Sequence, residues 1–418
     1  MNTLKFGNSE WYGSEGNILA YNDENGNFKP LPFDFSRGSI ATRVNQQGLI
    51  ETVGANDARV DYKDNANGAL LLEPSRTNLI TYSQDFSQGY TLSNTSIISN
   101  DVISPEGVQN ATKIYPLSSG NYRHIRYSPL SPSSGLHTFS VFAKAGELEH
   151  LVLLDYDGGG VGIDFNLSNG VATDNAPTPF DSFDMVDYGN GWYRCIATAT
   201  NPYFYWILSD NGNISVTVNG NDGLYIWGFQ AEQGSYPTSL IKTEGTAQTR
   251  LLDNSFQLIP TDISLSTSGT IFLDYTLNIK LTAGHFPLSI LDYNNGSGNE
   301  WLTRGSFRFD IRPNGNATYE FVLLSSAISS STQVSNVFPN IGSRGKMAVS
   351  WDGTNVTFSV NGINYQDTIN TNFTGSLDGV FLGVLKTFNN THKGGQFNDV
   401  KLYNTALSDS ELIALTQV

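Results

Sequence analysis

Residues 68–86, GALLLEPSRTNLITYSQDF, mark the point at which the character of the chain changes. The apolar run at residues 69–72 ends at Glu73-Pro74, and a second apolar pair, Leu79-Ile80, follows a polar tetrad. Proline donates no hydrogen bond to a sheet and pushes the preceding residue towards extended geometry. We therefore predict a crossing between two structural units at Pro74.

Composition limits the partners of this 418-residue chain. It carries 39 acidic and 23 basic residues, a formal net charge of −16. Affinity for nucleic acids comes mainly from basic residues that meet phosphates, so we expect no nucleic-acid binding, and anionic membrane surfaces are disfavoured for the same reason. No uninterrupted apolar run approaches the ~20 residues that span a bilayer, so we expect no membrane insertion. The length predicts two or three domains of about 150 residues.

Cysteine usage and the first residues bear on where the protein is made. The single cysteine, Cys195, has no partner for an internal disulfide and cannot build a thiolate zinc site. Residues 1–13 show no basic segment followed by an apolar one. We therefore expect no signal peptide and synthesis in a cytoplasm.

The first 75 residues contain few side chains that could form a hydrophobic core. Residues 1–32 are polar and glycine-rich, and we predict an extended arm whose aromatics dock on another chain; a terminus packed on its own domain is an equal alternative. Within the arm, Asn25-Gly26 between two apolar runs predicts a hairpin. Residues 33–75 are predicted to be a connector. The aromatics expected to make the attachment are Trp11, Tyr12, Tyr21 and Phe28.

Residues 76–250 have the pattern of an antiparallel β domain. Phe139, Val141 and Ala143 alternate with mostly polar residues, which is typical of a half-buried strand. Further strand-like runs are separated by Asn-Gly pairs, the strongest short-range signal for a hairpin. Many short strands at this spacing predict a sandwich or jelly roll. Residues 181–187 contain three aspartates and, between prolines and a glycine, are predicted to be a loop.

Residues 251–418 are predicted to form a second sandwich. Alternating apolar residues before Asn361-Gly362 predict a hairpin. Ser408 and Glu411 have the spacing of a capping box and predict the start of a short helix. The predicted fold class is therefore all-β, with two successive β-sandwich (jelly-roll) domains preceded by an extended N-terminal arm.

Several separated blocks of sequence resemble a module of tailed-phage virion proteins, which are often fibre or appendage components. The resemblance covers about residues 17–250 and rests on Phe33-Asp34-Phe35-Ser36-Arg37, Thr42-Arg43-Val44-Asn45, Gly48-Leu49-Ile50-Glu51 and residues 70–83. It implies a structural or adhesive role on a virion and contacts with other virion proteins through the N-terminal arm. Closed symmetric assembly is usual for such parts, and analogy with fibres implies a homotrimer. The resemblance supplies no catalytic residues.

Two further resemblances concern the β domains. Residues 188–195 and 224–232 look like late strands of phage-borne jelly rolls similar to carbohydrate-binding modules. This resemblance implies sugar binding by aromatics on a concave face and a structural calcium near Asn78 and Glu232. Residues 262–418 resemble the laminin-G or concanavalin A-like lectin sandwich, but a full calcium ligand set cannot be matched there.

Candidate reactive groups are few. Asp155-Tyr156-Asp157-Gly158 is similar to a fragment of a calcium loop, so Asp155 and Asp157 join the candidate metal ligands. The five histidines show no metal-ligand spacing, and no serine lies in a Gly-x-Ser-x-Gly elbow. The acidic residues do not match the paired carboxylates that glycoside hydrolysis requires. We therefore expect no enzymatic activity.

Binding is the role that the composition favours. Aromatic residues make up 12% of the chain, and those on an exposed sheet face can stack on the apolar faces of sugars. Tyr203-Phe204-Tyr205-Trp206 is the densest aromatic cluster. Because side chains alternate along a strand, we expect either Tyr203 and Tyr205 or Phe204 and Trp206 to face outwards. Packing between subunits is the alternative use of this cluster.

The residues and the resemblances together predict a phage virion appendage that binds a host-surface glycan. The alternative is a capsid decoration or tail subunit with no ligand of its own. A polysaccharide depolymerase is the least favoured of the three.

Overall fold

The computed structural model describes residues 3–6, 18–22, 28–32, 34–127, 135–155, 162–175, 180–200, 204–258, 267–277, 285–291, 306–314, 318–325, 328–335, 342–368, 379–382 and 395–418. The chain divides into two compact units. The jelly-roll unit contains residues 47–52 and 76–250, and the split unit contains residues 1–46, 53–75 and 251–418. One of the boundaries, between Ser75 and Arg76, lies beside the crossing predicted at Pro74.

The described elements are almost all strands. Those before residue 76 are β1 (Thr3–Phe6), β2 (Ile18–Asn22), β3 (Phe28–Pro32), β4 (Asp34–Ser36), β5 (Ala41–Val44), β6 (Ile50–Val53), β7 (Arg59–Asp61) and β8 (Ala69–Leu72). Those from residue 76 to 250 are β9 (Arg76–Asn78), β10 (Tyr90–Ser93), β11 (Thr95–Ile103), β12 (Gln109–Pro116), β13 (Gly120–Asn121), β14 (His124–Tyr127), β15 (Leu136–Lys144), β16 (His150–Asp155), β17 (Ile163–Asn166), β18 (Val171–Asp174), β19 (Phe180–Asp187), β20 (Trp192–Thr200), β21 (Phe204–Ser209), β22 (Ser215–Val216), β23 (Leu224–Gln233) and β24 (Gln248–Arg250). The remainder are β25 (Asn254–Leu258), β26 (Ser268–Thr276), β27 (His285–Leu291), β28 (Ser306–Asn314), β29 (Thr318–Ser325), β30 (Ile328–Ser335), β31 (Arg344–Asp352), β32 (Asn355–Val360), β33 (Ile363–Thr368), β34 (Gly379–Leu382), β35 (Gly395–Tyr403) and the helix α1 (Asp409–Thr416).

Two six-stranded antiparallel sheets build the jelly-roll unit. The front sheet has the order β10-β14-β21-β16-β17-β18, and the back sheet has the order β11-β12-β23-β15-β20-β19. Alternate residues of both sheets point into one apolar core, which buries Phe139, Val141 and Ala143 as predicted, together with Trp206 and Phe229. The all-β, sandwich-type fold class is confirmed. The acidic stretch 181–187, predicted to be a loop, lies instead in the edge strand β19, which pairs with β20.

The outer face of the back sheet is covered by the chain itself. Thr138 and Ser140, on the polar side of β15, are buried. Arg194 of β20 donates Nη1 to the Thr238 carbonyl at 2.8 Å and Nη2 to the Ser140 hydroxyl at 2.9 Å. The alternation of β15 therefore separates two buried layers, whereas the sequence predicted a buried face and an exposed one.

The long segment of the jelly-roll unit, residues 76–250, begins and ends on paired strands. β9 and β24 are antiparallel, with Thr77 opposite Thr249, and the hydroxyls of these two threonines lie 2.8 Å apart. The two ends of residues 76–250 therefore lie side by side within this unit.

Two larger sheets build the split unit. One has the order β33-β32-β31-β26-β35-β8-β7, with β1 also paired to β35, and the other has the order β30-β29-β28-β27-β34-β25-β4. Residues 33–75 are therefore not a separate connector, because β7 and β8 extend the first sheet and β4 extends the second. The N-terminal segment also differs from the predicted extended arm, because β1 pairs with β35 and adds a strand to the first sheet. The hairpin predicted within the arm is confirmed by the pairing of β2 with β3.

A buried network of four charged residues joins distant segments of the split unit. Arg37 Nη1 lies 3.0 Å from Asp253 Oδ1. Arg59 lies between two carboxylates, with Nη1 2.6 Å from Glu73 Oε2 and Nη2 in contact with Asp253 Oδ2. The backbones of Glu73 and Asp253 are also linked, since Asp253 N donates to Glu73 O at 3.1 Å. Removing one member would leave a buried charge unpaired, which typically costs about 3–5 kcal/mol.

Two local predictions for the last part of the chain are confirmed. Asn361 and Gly362 adopt φ angles of 47° and 82° in the turn between β32 and β33, as a two-residue hairpin requires. Before α1, the backbone N–H and the hydroxyl of Ser408 donate to Glu411 Oε2 at 2.8 and 2.6 Å. Within the described residues, no helix has the length and apolar character needed to cross a membrane.

Candidate binding site on the front sheet

The predicted sugar-stacking cluster lies on β21, inside the front sheet. Tyr205 pairs with Leu154 of β16, projects to the outer face and is half-buried there. Trp206 pairs with Ile125 of β14, points into the core and is 3% exposed. Its ring packs against Phe229 with the centroids 5.6 Å apart. The structure therefore selects Tyr205 as an outward residue and corrects the expectation for Trp206.

The other two members of that cluster remain predictions. Phe204 begins β21, but its side chain is not among those described. Tyr203 lies outside the described residues.

Two basic side chains of β14 lie beside Tyr205. His124 and Arg126 alternate with the buried Ile125 and share the outer face. The Arg126 guanidinium carbon lies 5.5 Å from the Tyr205 ring centroid, and Arg126 Nη1 donates to the Tyr205 hydroxyl at 3.3 Å. The His124 ring meets the Tyr205 ring at 81° with the centroids 4.4 Å apart. We call these three residues, His124, Arg126 and Tyr205, the front cluster.

His124 is held in one tautomer. Its Nδ1 lies 2.9 Å from the Tyr122 carbonyl oxygen, which can only accept, so Nδ1 carries the proton. Burial lowers the pKa of His124 below its ordinary value of 6.5; the hydrogen bond to Tyr122 acts in the opposite direction, and the charge of Arg126 adds to the lowering. The imidazole is therefore neutral at pH 7, and Nε2 is a hydrogen-bond acceptor.

Within the described residues, Arg126 lacks the carboxylate partner that several other arginines have. Among the described residues its guanidinium makes no ion pair, and its buried Nε has no hydrogen-bond acceptor. Arg37, Arg59 and Arg344, in contrast, each contact a carboxylate. Arg123, three residues earlier in the chain, donates to three backbone carbonyls. In a chain of net charge −16, Arg126 is thus a cation with no counterion among the described residues.

The middle of the same outer face is covered by a loop. Val152 and Ile207 are fully buried on this face, and Ile214 packs against them. Ile214 lies in the loop after β21, which is fixed by the pairing of β13 with β22 and by a 2.8 Å hydrogen bond from Tyr122 N to Ile214 O. Because Tyr122 also accepts from His124, one residue connects this loop to the front cluster.

A histidine–aspartate pair on this face lacks the geometry of a catalytic triad. His150 Nδ1 lies 2.9 Å from Asp164 Oδ1, and Ser209 stands opposite His150 in the strand register. Ser209 is fully buried, however, and its hydroxyl accepts from Asn211 N at 3.2 Å. Within the described part of the chain no hydrogen bond joins Ser209 to His150, so the serine is not activated as a nucleophile would be.

The back sheet has a comparable cation–aromatic pair. Lys113 stands opposite Tyr225 in the register, and its Nζ lies 5.8 Å from the Tyr225 ring centroid. Here, however, Glu147 Oε2 lies 2.8 Å from Lys113 Nζ and also accepts from Gly223 N at 3.1 Å. Glu147 therefore neutralises the back pair, whereas the described part of the chain supplies no acidic partner to the front cluster.

Asn78, a predicted neighbour of calcium, holds the backbone together. Its Nδ2 donates to the carbonyls of Phe229 and Ile241 at 3.2 and 2.9 Å. Its Oδ1 accepts from the backbone N–H groups of Ile80 and Ala231, both at 3.1 Å. The carboxamide oxygen that calcium would need is therefore already used twice.

Glu232 is a fully buried acid with its own donors. Its two carboxylate oxygens accept hydrogen bonds from Thr238 and Gln230. Burial raises the pKa of Glu232, and the nearby charges that lower it belong to Arg194, Arg76 and Arg250. A carboxylate with both oxygens used and three guanidinium groups nearby contradicts the predicted calcium role of Asn78 and Glu232.

The other predicted ligands are not tested. Asp155 ends β16, but its side chain is not among those described, and Asp157 lies outside the described residues. Across the part of the chain that the structure describes, no group of three His, Cys, Asp or Glu side chains is placed to hold a metal ion.

The predicted attachment aromatics of the arm also remain predictions. Trp11 and Tyr12 lie outside the described residues. Tyr21 and Phe28 lie in the paired strands β2 and β3, and their side chains are not described.

Sequence reasoning missed His124 and Arg126. The signal was present, because His124-Ile125-Arg126-Tyr127 alternates basic and apolar residues as a half-exposed strand does. Their proximity to Tyr205 depends on the pairing of β14 with β21, which local patterns do not predict.

Comparisons with known proteins find only solved structures with low TM-scores to this chain. No protein-family model matches the chain. No curated protein matches it. Among solved structures, the chain is similar to the CBM40 module of the Ruminococcus gnavus IT-sialidase bound to α2,3-sialyllactose, with 20% identity and a TM-score of 0.30 over 38% of this chain and 86% of that one.

Two further solved structures have comparable scores. Domain 4 of AbnA, a GH43 extracellular arabinanase from Geobacillus stearothermophilus, in complex with arabinotriose, is 17% identical with a TM-score of 0.30 over 44% of this chain and 83% of that one. The heptameric SAP-like pentraxin of Limulus polyphemus is 9% identical with a TM-score of 0.29 over 38% of this chain and 74% of that one.

Proposed function

We propose that the jelly-roll unit binds glycans at the front cluster and carries out no chemistry on them. The observation that supports this most is the half-buried Tyr205 ring, held beside Arg126 and His124 on the outer face of a hydrogen-bonded sheet. Sugars combine apolar ring faces with hydroxyls, so they are bound by aromatic surface together with a few fixed donors and acceptors. Arg126 supplies donors, and His124 Nε2 supplies an acceptor.

A matched pair of tyrosine substitutions tests this proposal. The full chain, Tyr205→Ala and Tyr225→Ala are applied to a glycan array, and the hits are titrated by calorimetry. We expect Tyr205→Ala to weaken binding about tenfold, since an aromatic contact contributes about 0.5–1.5 kcal/mol beyond its buried area. Tyr225→Ala removes an equivalent ring from the back sheet and should bind like the unchanged protein. Equal binding by all three proteins would refute the front cluster as the site.

We also propose that the chain is part of a tailed-phage virion and reaches a host-surface glycan from there. Support comes from the sequence blocks that resemble virion modules, which include Arg37 of the buried ionic network. Immunogold labelling of purified particles should mark a fixed position on the head or tail. Sedimentation of the purified chain should give a homotrimer. Unlabelled particles, or a monomer at micromolar concentration, would count against these two statements respectively.

A structural subunit without a ligand is the second candidate. It is favoured by apolar side chains exposed at the rim of the back sheet, where Ile103 is 60% exposed and Val108 is 55% exposed. Exposed apolar groups that lie close together mark contacts with other chains. Tight association with particles and no binding to any glycan or cell would favour this candidate. Shortened polysaccharide chains after incubation with the protein would instead contradict both non-enzymatic functions.

A further inference from the structure

The guanidinium of Arg126 is fixed and yet incompletely used. Its central carbon lies 5.5 Å from the centroid of the Tyr205 ring, and one N–H group is donated to the Tyr205 hydroxyl at 3.3 Å, a long and weak hydrogen bond. An arginine side chain carries five N–H donors, so most of them have no acceptor among the described residues. Buried donors without acceptors are unfavourable, and Nε of Arg126 is one of them. The arrangement is therefore incomplete without a further acceptor.

No acidic side chain in the described part of the structure balances the charge of Arg126. Lys113 on the back sheet has Glu147 at 2.8 Å, but the front cluster contains no acidic side chain. The second basic member, His124, is neutral at pH 7 and accepts through Nε2. An incoming group at this site therefore meets one full positive charge, a phenol and a neutral acceptor.

We propose that the ligand of the front cluster is a glycan bearing a carboxylate, with the carboxylate on Arg126. This inference rests on the proposed function. A planar guanidinium matches a planar carboxylate through two parallel N–H···O bonds. Phosphate groups are usually bound by clusters of arginines, and the front cluster contains one arginine, so a singly charged planar anion fits better. His124 Nε2 is then an acceptor for a sugar hydroxyl, and the Tyr205 ring is a surface on which the sugar can stack.

The test compares each acidic sugar with its own uncharged form. Uronic-acid oligosaccharides are immobilised on a glycan array both as free acids and as methyl esters. The esters keep the sugar ring and its hydroxyls but carry no charge. The full chain should bind free acids about ten- to a hundredfold more tightly than their esters, because hydrogen bonds to charged groups contribute about 1.5–3 kcal/mol. Equal affinity for acid and ester would overturn the inference and leave the proposed function standing.

Substitutions assign the preference to one residue. Arg126→Gln should bind acid and ester equally, and Arg126→Lys should recover part of the preference, since it restores the charge without the planar fork. Lys144→Gln is the matched control, because Lys144 lies on β15 of the back sheet, where its Nζ donates to the Asn190 carbonyl. A preference that persists in Arg126→Gln would overturn the inference. Absence of binding to acids, esters and neutral glycans alike would instead refute the proposed function, and the inference with it.

Discussion

The front and back sheets of the jelly-roll unit place similar groups on their outer faces and use them differently. On the back sheet, Lys113 lies near the Tyr225 ring and is paired with Glu147, and Arg194 is buried against Thr238. On the front sheet, Arg126 lies near the Tyr205 ring and has no acidic partner in the described part of the chain.

The difference shows that a cation over an aromatic ring does not by itself indicate a binding site. Such pairs are common and contribute modestly to stability. What separates the two faces is whether the chain supplies the counterion. The back face has satisfied its charges internally, so its polar groups serve folding, whereas the front face retains donors that an external ligand can use.

The largest expected effect comes from replacing one arginine on each face. Arg194→Gln should lower the free energy of unfolding by about 3 kcal/mol, because it removes a buried cation near the buried Glu232. Arg126→Gln should change it by less than about 1 kcal/mol, because the side chain is half-exposed and forms no ion pair within the described residues. Urea unfolding followed by tryptophan fluorescence measures both. Similar losses would mean that both faces serve folding alike.

A smaller effect is expected from removing the counterion on the back sheet. Burial acts to lower the pKa of Lys113, but the hydrogen bond and charge of Glu147 outweigh it, so the pKa is raised. Glu147→Gln should therefore lower the pKa of Lys113, which NMR of the Lys113 side chain can follow. The loss of stability should be about 0.5 kcal/mol, since Glu147 is half-exposed and water screens the pair.

The loss of stability caused by Glu147→Gln should depend on pH. The pKa of Glu147 is lowered, first by the hydrogen bond from Lys113, so the carboxylate stabilises the fold above its ordinary value of 4.5. That contribution is lost as the pH falls through the lowered pKa. Unfolding curves of the unchanged protein and Glu147→Gln should therefore converge at acidic pH. Curves that stay parallel from pH 3 to 7 would contradict this role of the pair.

The smallest effect concerns protonation of His124 on the front sheet. Burial lowers the pKa of His124 in the folded chain, so the unfolded chain binds this proton more readily. Acidification below 6.5 should therefore slightly favour unfolding. In Arg126→Gln the pKa of His124 should rise, because a nearby positive charge is removed. An NMR titration that places His124 at or above 6.5 in the unchanged protein would contradict the assigned neutral state.

Local structure was largely predictable from the sequence, but strand partners were not. Asn361-Gly362 supplies the positive φ angles of a hairpin turn, and Ser408 with Glu411 marks a helix start, because both depend on neighbouring residues. The pairing of β8 with β35 joins residues more than three hundred positions apart, so no local period reveals it. The segment from 33 to 75 therefore read as a connector although it completes two sheets.

The candidate site was predictable to the same extent. Alternation showed that half of the aromatic cluster on β21 faces outwards, but the choice between Tyr205 and Trp206 depends on which side the core lies. Glu232 was expected near calcium because the sequence does not show that arginines from three separate segments surround it. Charge balance at a site is a property of the assembled sheets.

The adjacent ends of residues 76–250 have a consequence for how such a chain can change. The chain leaves the split unit after Ser75 and re-enters it at Leu251, and both points lie close in sequence to the hydrogen-bonded backbones of Glu73 and Asp253. Recombination at these two points would exchange residues 76–250 as one block, and because residues 47–52 also belong to the jelly-roll unit, an incoming module must pack against that short stretch as well. The ligand can therefore change while the strands of the split unit stay the same.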